Sequence, residues 1–365
     1  MRLELIPRPE RSALFAILSP IVALGVTLLF GVILFTALGV NPGRALYVYF
    51  VEPLTQSWSV EELIVKASPL ILIGCGLAIC FRANVWNIGA EGQFTIGAIF
   101  GSAIPILLPE ATGFWVLPSM VVFGALGGGL YGLIPGILKT RFNANEILTS
   151  LMLTYVALLL LDFLVRGPWR DPGSFNFPES RLFGAPGTLP TMIGNSRLHI
   201  GVLFGLIAAV ALAVMLRFSI RGFAIRLSGE APRAARFAGF RQNRITMAVF
   251  ALSGALAGLA GISEVSGTIG QLRPEISPGY GFTAIIVAFL GRLNPIGIVV
   301  AGFVLALTYL GGEAAQVSLG LSDKVTRVFQ GMMLFSVLGF DTLIQYRIRF
   351  RRTVAIPPAG GSSHA

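Results

Sequence analysis

The 365-residue chain is 55% hydrophobic and 12% charged, with a mean hydropathy of +0.80, whereas a soluble domain carries roughly 25% charged residues. An ordinary soluble domain is excluded, and the long runs free of charge make lipid the solvent. The net charge of +10 comes almost entirely from arginine, with only Lys66, Lys139 and Lys324 besides, and its pattern is that of membrane sidedness rather than of nucleic-acid binding.

A short basic start, Arg2, Arg8 and Arg11, precedes the apolar stretch 13–40. That stretch exceeds the roughly 7–15 residues of a signal-peptide core, so it predicts an uncleaved first span. Further segments of crossing length follow at 63–81, 92–109, 115–137, 146–165, 199–216, 245–263, 295–312 and 325–345, each near the ~20 residues a crossing needs. Cys75 and Cys80 fall inside one apolar run with no partner spacing for a metal and are expected to pack as small hydrophobes. Between the second and third segments lies the polar, glycine-rich stretch Asn84-Val-Trp-Asn-Ile-Gly-Ala-Glu-Gly-Gln93. Glu91 and Gln93 in or near lipid are costly unless they face a partner or a wet cavity. Two readings stay open: a plain cytoplasmic turn after Arg82, or a broken helix on a translocation path.

Small-residue steps at Gly124-x-x-x-Gly128 and Gly254-x-x-x-Gly258 predict close helix approach. Asn145 followed by Glu146 opens the 146–165 span, as a helix cap would, and both are also candidates for the path. A proline-rich outer loop, 167–190, carries Phe175 and Phe177; it connects spans or receives a soluble binding protein. The loop 217–244 is the most basic, with Arg217, Arg221, Arg226, Arg233, Arg236, Arg241 and Arg244. Within it Pro232 suits a first helical turn and Gly239 a stop. Ala231, Ala234, Ala235 and Ala238 at i, i+3, i+4 and i+7 predict one narrow apolar face. A helix so short is unstable alone, so it either lies on anionic lipid or docks into a cytoplasmic partner, and its caps and small face favour the partner.

Segment 281–291 is apolar but short, bracketed by Pro274, Pro278, Gly279, Gly281, Gly291 and Pro295, which suits a broken helix lining a cavity. Counting it gives ten crossings and puts Arg347, Arg349, Arg351 and Arg352 on the same side as Arg2, Arg82, Lys139, Arg141 and the loop 217–244. The other side keeps Glu52, Glu61, Glu62, Glu110, Asp171, Glu179, Glu264 and Glu275, so the basic side is assigned to the cytoplasm. The expected fold is all-α and polytopic: an N-terminus at 1–12, a transmembrane domain at 13–346 and a basic tail at 347–365, low in complexity from 357. No internal repeat is visible. No lysine follows a glycine, so no phosphate-binding Gly-Lys-Ser/Thr loop exists. With only His199 and His364, no Ser/His/Asp set is credible either.

Three stretches, WNIGAEGQFTIGA, NANEILTSLMLTYVA and GEAPRAARFAGF, resemble the permease subunits of ABC importers of the ribose and branched-chain amino acid class, in its nucleoside and simple-sugar branch. The likeness extends over roughly residues 60–345. Asn87, Gly89, Glu91, Gly92 and Gln93 match the branch motif N-I-G-x-E-G-Q. The resemblance implies a type II importer-like permease of a bacterial inner membrane, not itself an enzyme and with no cofactor of its own. It further implies a cytoplasmic ATPase that holds the ATP and magnesium, a second permease and an extracytoplasmic solute-binding protein. Gly229, Glu230, Ala231, Pro232, Arg233, Ala234, Ala235 and Gly239 would couple to that ATPase, and Asn87, Glu91, Gln93, Asn145 and Glu146 would line the path. The competing class is a stand-alone ion-coupled transporter or channel for a small polar solute.

Overall fold

The computed structural model describes residues 2–7, 13–194 and 196–351. Strand β1 (Arg2–Pro7) leads to helices α1 (Ala13–Ala37), α2 (Pro42–Phe50), α3 (Ser57–Arg82), α4 (Ala90–Leu107), α5 (Val116–Phe142) and α6 (Glu146–Arg166). These are followed by α7 (Gly201–Phe218), α8 (Ile220–Glu230), α9 (Pro232–Phe237), α10 (Gln242–Glu264), α11 (Tyr280–Leu290), α12 (Pro295–Leu319), α13 (Asp323–Gln345) and strand β2 (Tyr346–Arg351). The chain is a polytopic helical membrane protein. Among the described residues six helices, α3, α5, α6, α7, α10 with its continuation to Ile269, and α12, are long and apolar enough to cross by length and composition.

The sequence did not reveal α2 or α8. Asn41 caps α2 by accepting from Gly43 N and Arg44 N, and Tyr49 holds it down with a 3.0 Å hydrogen bond to Thr326 of α13. Strands β1 and β2 pair antiparallel, from Arg2 opposite Arg351 to Pro7 opposite Tyr346. The start of α1 and the end of α13 therefore lie together, which fits an even number of passes between them. This ribbon takes up residues 347–351 of the predicted tail, while Arg8, Arg11 and Arg352 lie outside the described residues.

Helix α3 is the central post, sheathed by neighbours almost all round. Cys75 and Cys80 sit within it, free and fully buried, and Cys80 Sγ donates to Val249 O. The tightest contact is between α5 and α10, which run antiparallel with the two predicted small-residue steps facing one another. A Cβ at Gly128 would overlap Gly254 O, and one at Gly258 would overlap Gly124 O. Gly97 of α4 closes the knot, because a Cβ there would overlap the backbone of Gly258. Such contact needs residues without side chains, since apolar lipid gives no hydrophobic drive for helices to associate.

Two faces separate by charge. Arg82, the Lys139–Glu146 pair and the whole 217–244 segment lie at the arginine-rich end. At the opposite end Glu62 pairs with Lys66 and Arg197, Glu313 pairs with Lys66, and Glu179 meets Gln271 and Arg273.

Candidate functional site

Helix α3 stops at Arg82, and Asn84 turns the chain in the left-handed region at φ 55°. Residues 85–89 then climb back into the protein instead of crossing its surface, so that α4 begins in the interior. Asn87 is fully buried and its amide donates to Ser253, halfway along α10, at 3.1 Å. The plain-turn alternative for 84–93 is thereby corrected: the segment is a buried break between α3 and α4. Its close packing explains its glycines, since a Cβ on Gly89 would meet Ser150 O at 2.7 Å and one on Gly92 would meet Thr154 Cα at 2.7 Å.

A second broken element meets it from the other end. After α10, a π-helical turn spans Val265–Ile269, and residues 270–279 descend from the acidic end into the interior between Gly270 (φ 81°) and Gly279 (φ 105°). There α11 starts, and its exposed backbone donors find acceptors at once. Ser277 Oγ accepts from Gly279 N and Tyr280 N, and Glu91 Oε2 accepts from Gly281 N at 2.5 Å. A carboxyl at a helix N-terminus satisfies an orphan donor and meets the positive end of the helix dipole. Glu91 is thus an internal cap joining α4 to α11.

Asn87 and Gln93 are bonded to each other in both directions, at 2.9 and 3.1 Å, and Asn87 Oδ1 also accepts from Gly89 N. The structure therefore brings Asn87, Glu91 and Gln93 together, with their hydrogen-bonding capacity turned on the protein's own elements. Asn145 and Glu146 stand elsewhere, at the arginine-rich end. Asn145 caps α6 by accepting from Ile147 N and Leu148 N, and Glu146 pairs with Lys139.

Sequence reasoning missed the polar track that continues from this junction toward the acidic end. Tyr280 packs edge-on against Tyr309, ring centroids 5.7 Å apart. Thr283 bonds Tyr309 at 2.6 Å, and Gln330 of α13 bridges Thr283 and Thr308. Single Thr, Gln and Tyr residues in apolar helices leave no periodic signal, and only the short segment 281–291 pointed here. Just beyond Tyr309 on α12, Leu310 and Glu313 line a 370 Å³ cavity together with Glu52, Trp58, Glu62 and Arg197. Glu264, read from sequence as an outer-loop acid, is instead the buried last residue of α10.

His199 ties the segment before α7 to the π turn, buried against Gly267 with Nε2 3.4 Å from Thr268 Oγ1. Burial, aided by the Arg197 charge, pushes its pKa down to about 4. A folded value below the ordinary 6.5 means the unfolded chain binds the extra proton, so this stabilisation is complete above about pH 6.5 and is lost as pH falls toward 4. Thermal melts from pH 7 to pH 5 are expected to lose roughly 1–2 kcal/mol in the wild type. His199→Gln should flatten that slope; an unchanged slope contradicts the assignment.

At the arginine-rich end, α7 breaks at extended Ser219, whose hydroxyl accepts from Gly222 N to cap α8. The predicted coupling segment straddles a second break. Gly229 and Glu230 form the last turn of α8, Ala231 is the junction, and α9 begins at Pro232 and stops before Gly239, at φ 84°. The expected face of four alanines does not form, because six helical residues do not extend to Ala231 and Ala238, which serve as caps. Ala235 alone is buried, while Ala234, Ala238, Arg233, Arg236 and Phe237 face outward, Phe237 being 94% exposed. Gly229 allows α8 to rest on Arg82 O, where any Cβ would collide.

The sequence matches the family described as branched-chain amino acid transport system / permease component over residues 59–338. It is 34% identical to the glucose ABC transporter permease protein TsgB13 of Haloferax volcanii, over 95% of this chain and 94% of that one. The guanosine ABC transporter permease protein NupP of Bacillus subtilis is 32% identical over 80% and 82%, and the nucleoside ABC transporter permease protein NupB of Lactococcus lactis 27% over 88% and 90%.

Proposed function

The chain belongs to the branched-chain amino acid transport system / permease component family, and from that premise we propose that it is the membrane permease of an ATP-driven importer of nucleosides or simple sugars. Glucose and guanosine, in the names of two relatives, share a polyhydroxylated sugar ring. A solute-binding protein would deliver such a solute to the acidic end, and a cytoplasmic ATPase would dock at the arginine-rich end, which makes that end cytoplasmic and gives the chain ten passes with α11 as a half-length one. A second, different permease would complete the pathway.

The observation that carries this reading is a continuous mechanical line from the exposed short helix to the broken helices. Arg233, Arg236 and Phe237 of α9 face outward where a partner can seat. Helix α8 bears on Arg82 O through Gly229, and Arg82 Nε donates to Leu293 O, just past the end of α11, at 2.8 Å. Helix α11 in turn hangs from Glu91 at its other end. Closure of the ATPase would push α9 and α8, shift Arg82 and swing α11 about the two hinges that precede it, Gly270 and Gly279. Its N-terminus and the polar track beside it would then change access from one face to the other. Weak polar contacts along the track suit release, because the binding protein has already done the tight selection.

Glu230→Ala combined with Arg233→Ala is expected to cut uptake and solute-stimulated ATP hydrolysis together by at least tenfold while the chain remains inserted. Full uptake by this variant contradicts the coupling role. Uptake by the chain reconstituted without any ATPase would instead place it among ion-coupled transporters.

A further inference from the structure

Helices α8 and α10 begin side by side beneath the end of α7, and between them lies a 420 Å³ groove. Its walls are Met215, Ile225, Phe240 and Leu252, and Arg221 and Arg244 stand at its rim. Both arginines are exposed, and neither guanidinium forms a hydrogen bond or ion pair among the described residues. Each lies in the first turn of its helix, neither first turn carries an acid, and α10 has no side-chain cap. Two arginines from the first turns of two helices thus line one groove, and paired guanidinium groups there attract an oxygen anion.

The ligand must also be apolar beyond its anionic part. Exposed Ile207, Val210, Val214 and Phe218 form an apolar stripe along α7 that leads to the groove, and Ile220 and Phe223 extend it onto α8. Arg217 lies 5.4 Å over the Phe218 ring. Apolar side chains beside arginines on a helix that turns sharply from a span mark the depth where headgroups meet acyl chains. We infer that this groove holds one anionic phospholipid of the leaflet at the arginine-rich face, its phosphate between Arg221 and Arg244 and an acyl chain along Met215, Ile225 and Leu252. A protein partner with an acidic surface would meet the outward arginines of α9 instead, Arg233 and Arg236, beside exposed Phe237. The inference rests on the membrane placement of the chain and is independent of the solute carried.

Native mass spectrometry of the intact transporter, titrated in detergent with phosphatidylglycerol or phosphatidylcholine, tests it. The wild type is expected to bind one phosphatidylglycerol per chain at least tenfold more tightly than phosphatidylcholine. Arg221→Gln with Arg244→Gln should abolish that preference, and Ala248→Trp, which fills the groove, should abolish binding of both lipids. If the double glutamine variant aggregates, Arg221→Lys with Arg244→Lys serves in its place and must keep the preference. Undiminished phosphatidylglycerol binding by the glutamine variant overturns the inference. So does loss of the ATPase from that variant with lipid binding retained, which would assign the arginines to the protein partner.

Discussion

Gly258→Leu should leave almost no folded chain in the membrane. The residue sits where three helices touch through backbone, with Gly124 O and Gly128 on one side and Gly97 on the other. Overpacking a core commonly costs about 1–3 kcal/mol, because flexible side chains give way. Here the obstacle on both sides is main chain, so α4, α5 and α10 must separate and lose their contact along much of their length. A cost above about 3 kcal/mol is a large share of the 5–15 kcal/mol that holds a domain folded. Gel filtration of detergent extracts is expected to show the monodisperse peak reduced at least tenfold, with Gly258→Ala intermediate. Gly331→Leu is the control, since nothing lies within 4 Å of a Cβ there, and it should elute like the wild type.

Glu91→Ala should separate the cap from any direct role in solute contact. The alanine leaves Gly281 N without its acceptor in an apolar interior, a loss of about 1–3 kcal/mol, and frees α11 from α4. Uptake is expected to fall at least tenfold, together with a lower melting temperature. Glu91→Gln keeps an acceptor oxygen and should retain most stability and a large part of transport. A Gln variant of full stability but changed solute preference would show that the carboxyl meets the solute, contrary to its seat on α11. Asn87→Leu should destabilise as strongly, because Gln93 and Ser253 both lose a partner.

How much of this was legible depended on the kind of signal. Long apolar runs announced every segment now occupied by α1, α3 to α7 and α10 to α13, because lipid demands length and hydrophobicity from each. The small-residue steps marked α5 and α10 for close approach, but that each is the other's partner came only from the structure. Depth was another matter. Nothing in the order of residues shows whether 84–93 runs along the surface or climbs inside, and the decisive partners, Ser253 and Gly281, lie 166 and 190 positions away. The polar track was invisible for the same reason, being assembled from single residues on three helices. In 217–244 the start signal at Pro232 and the stop signal at Gly239 were readable. The alanine spacing misled, because it presumed a helix longer than the one that Ala231 and Ala238 close off.

This chain is expected to transport only when an ATPase drives it. The most direct measurement is uptake of radiolabelled guanosine and of glucose into proteoliposomes holding the chain with its co-purified permease and ATPase subunits, with the solute-binding protein outside and ATP inside. Accumulation of one of these solutes above the external concentration, abolished when the ATPase or ATP is left out, is the predicted result. Accumulation by the chain alone, driven by an ion gradient, would contradict it.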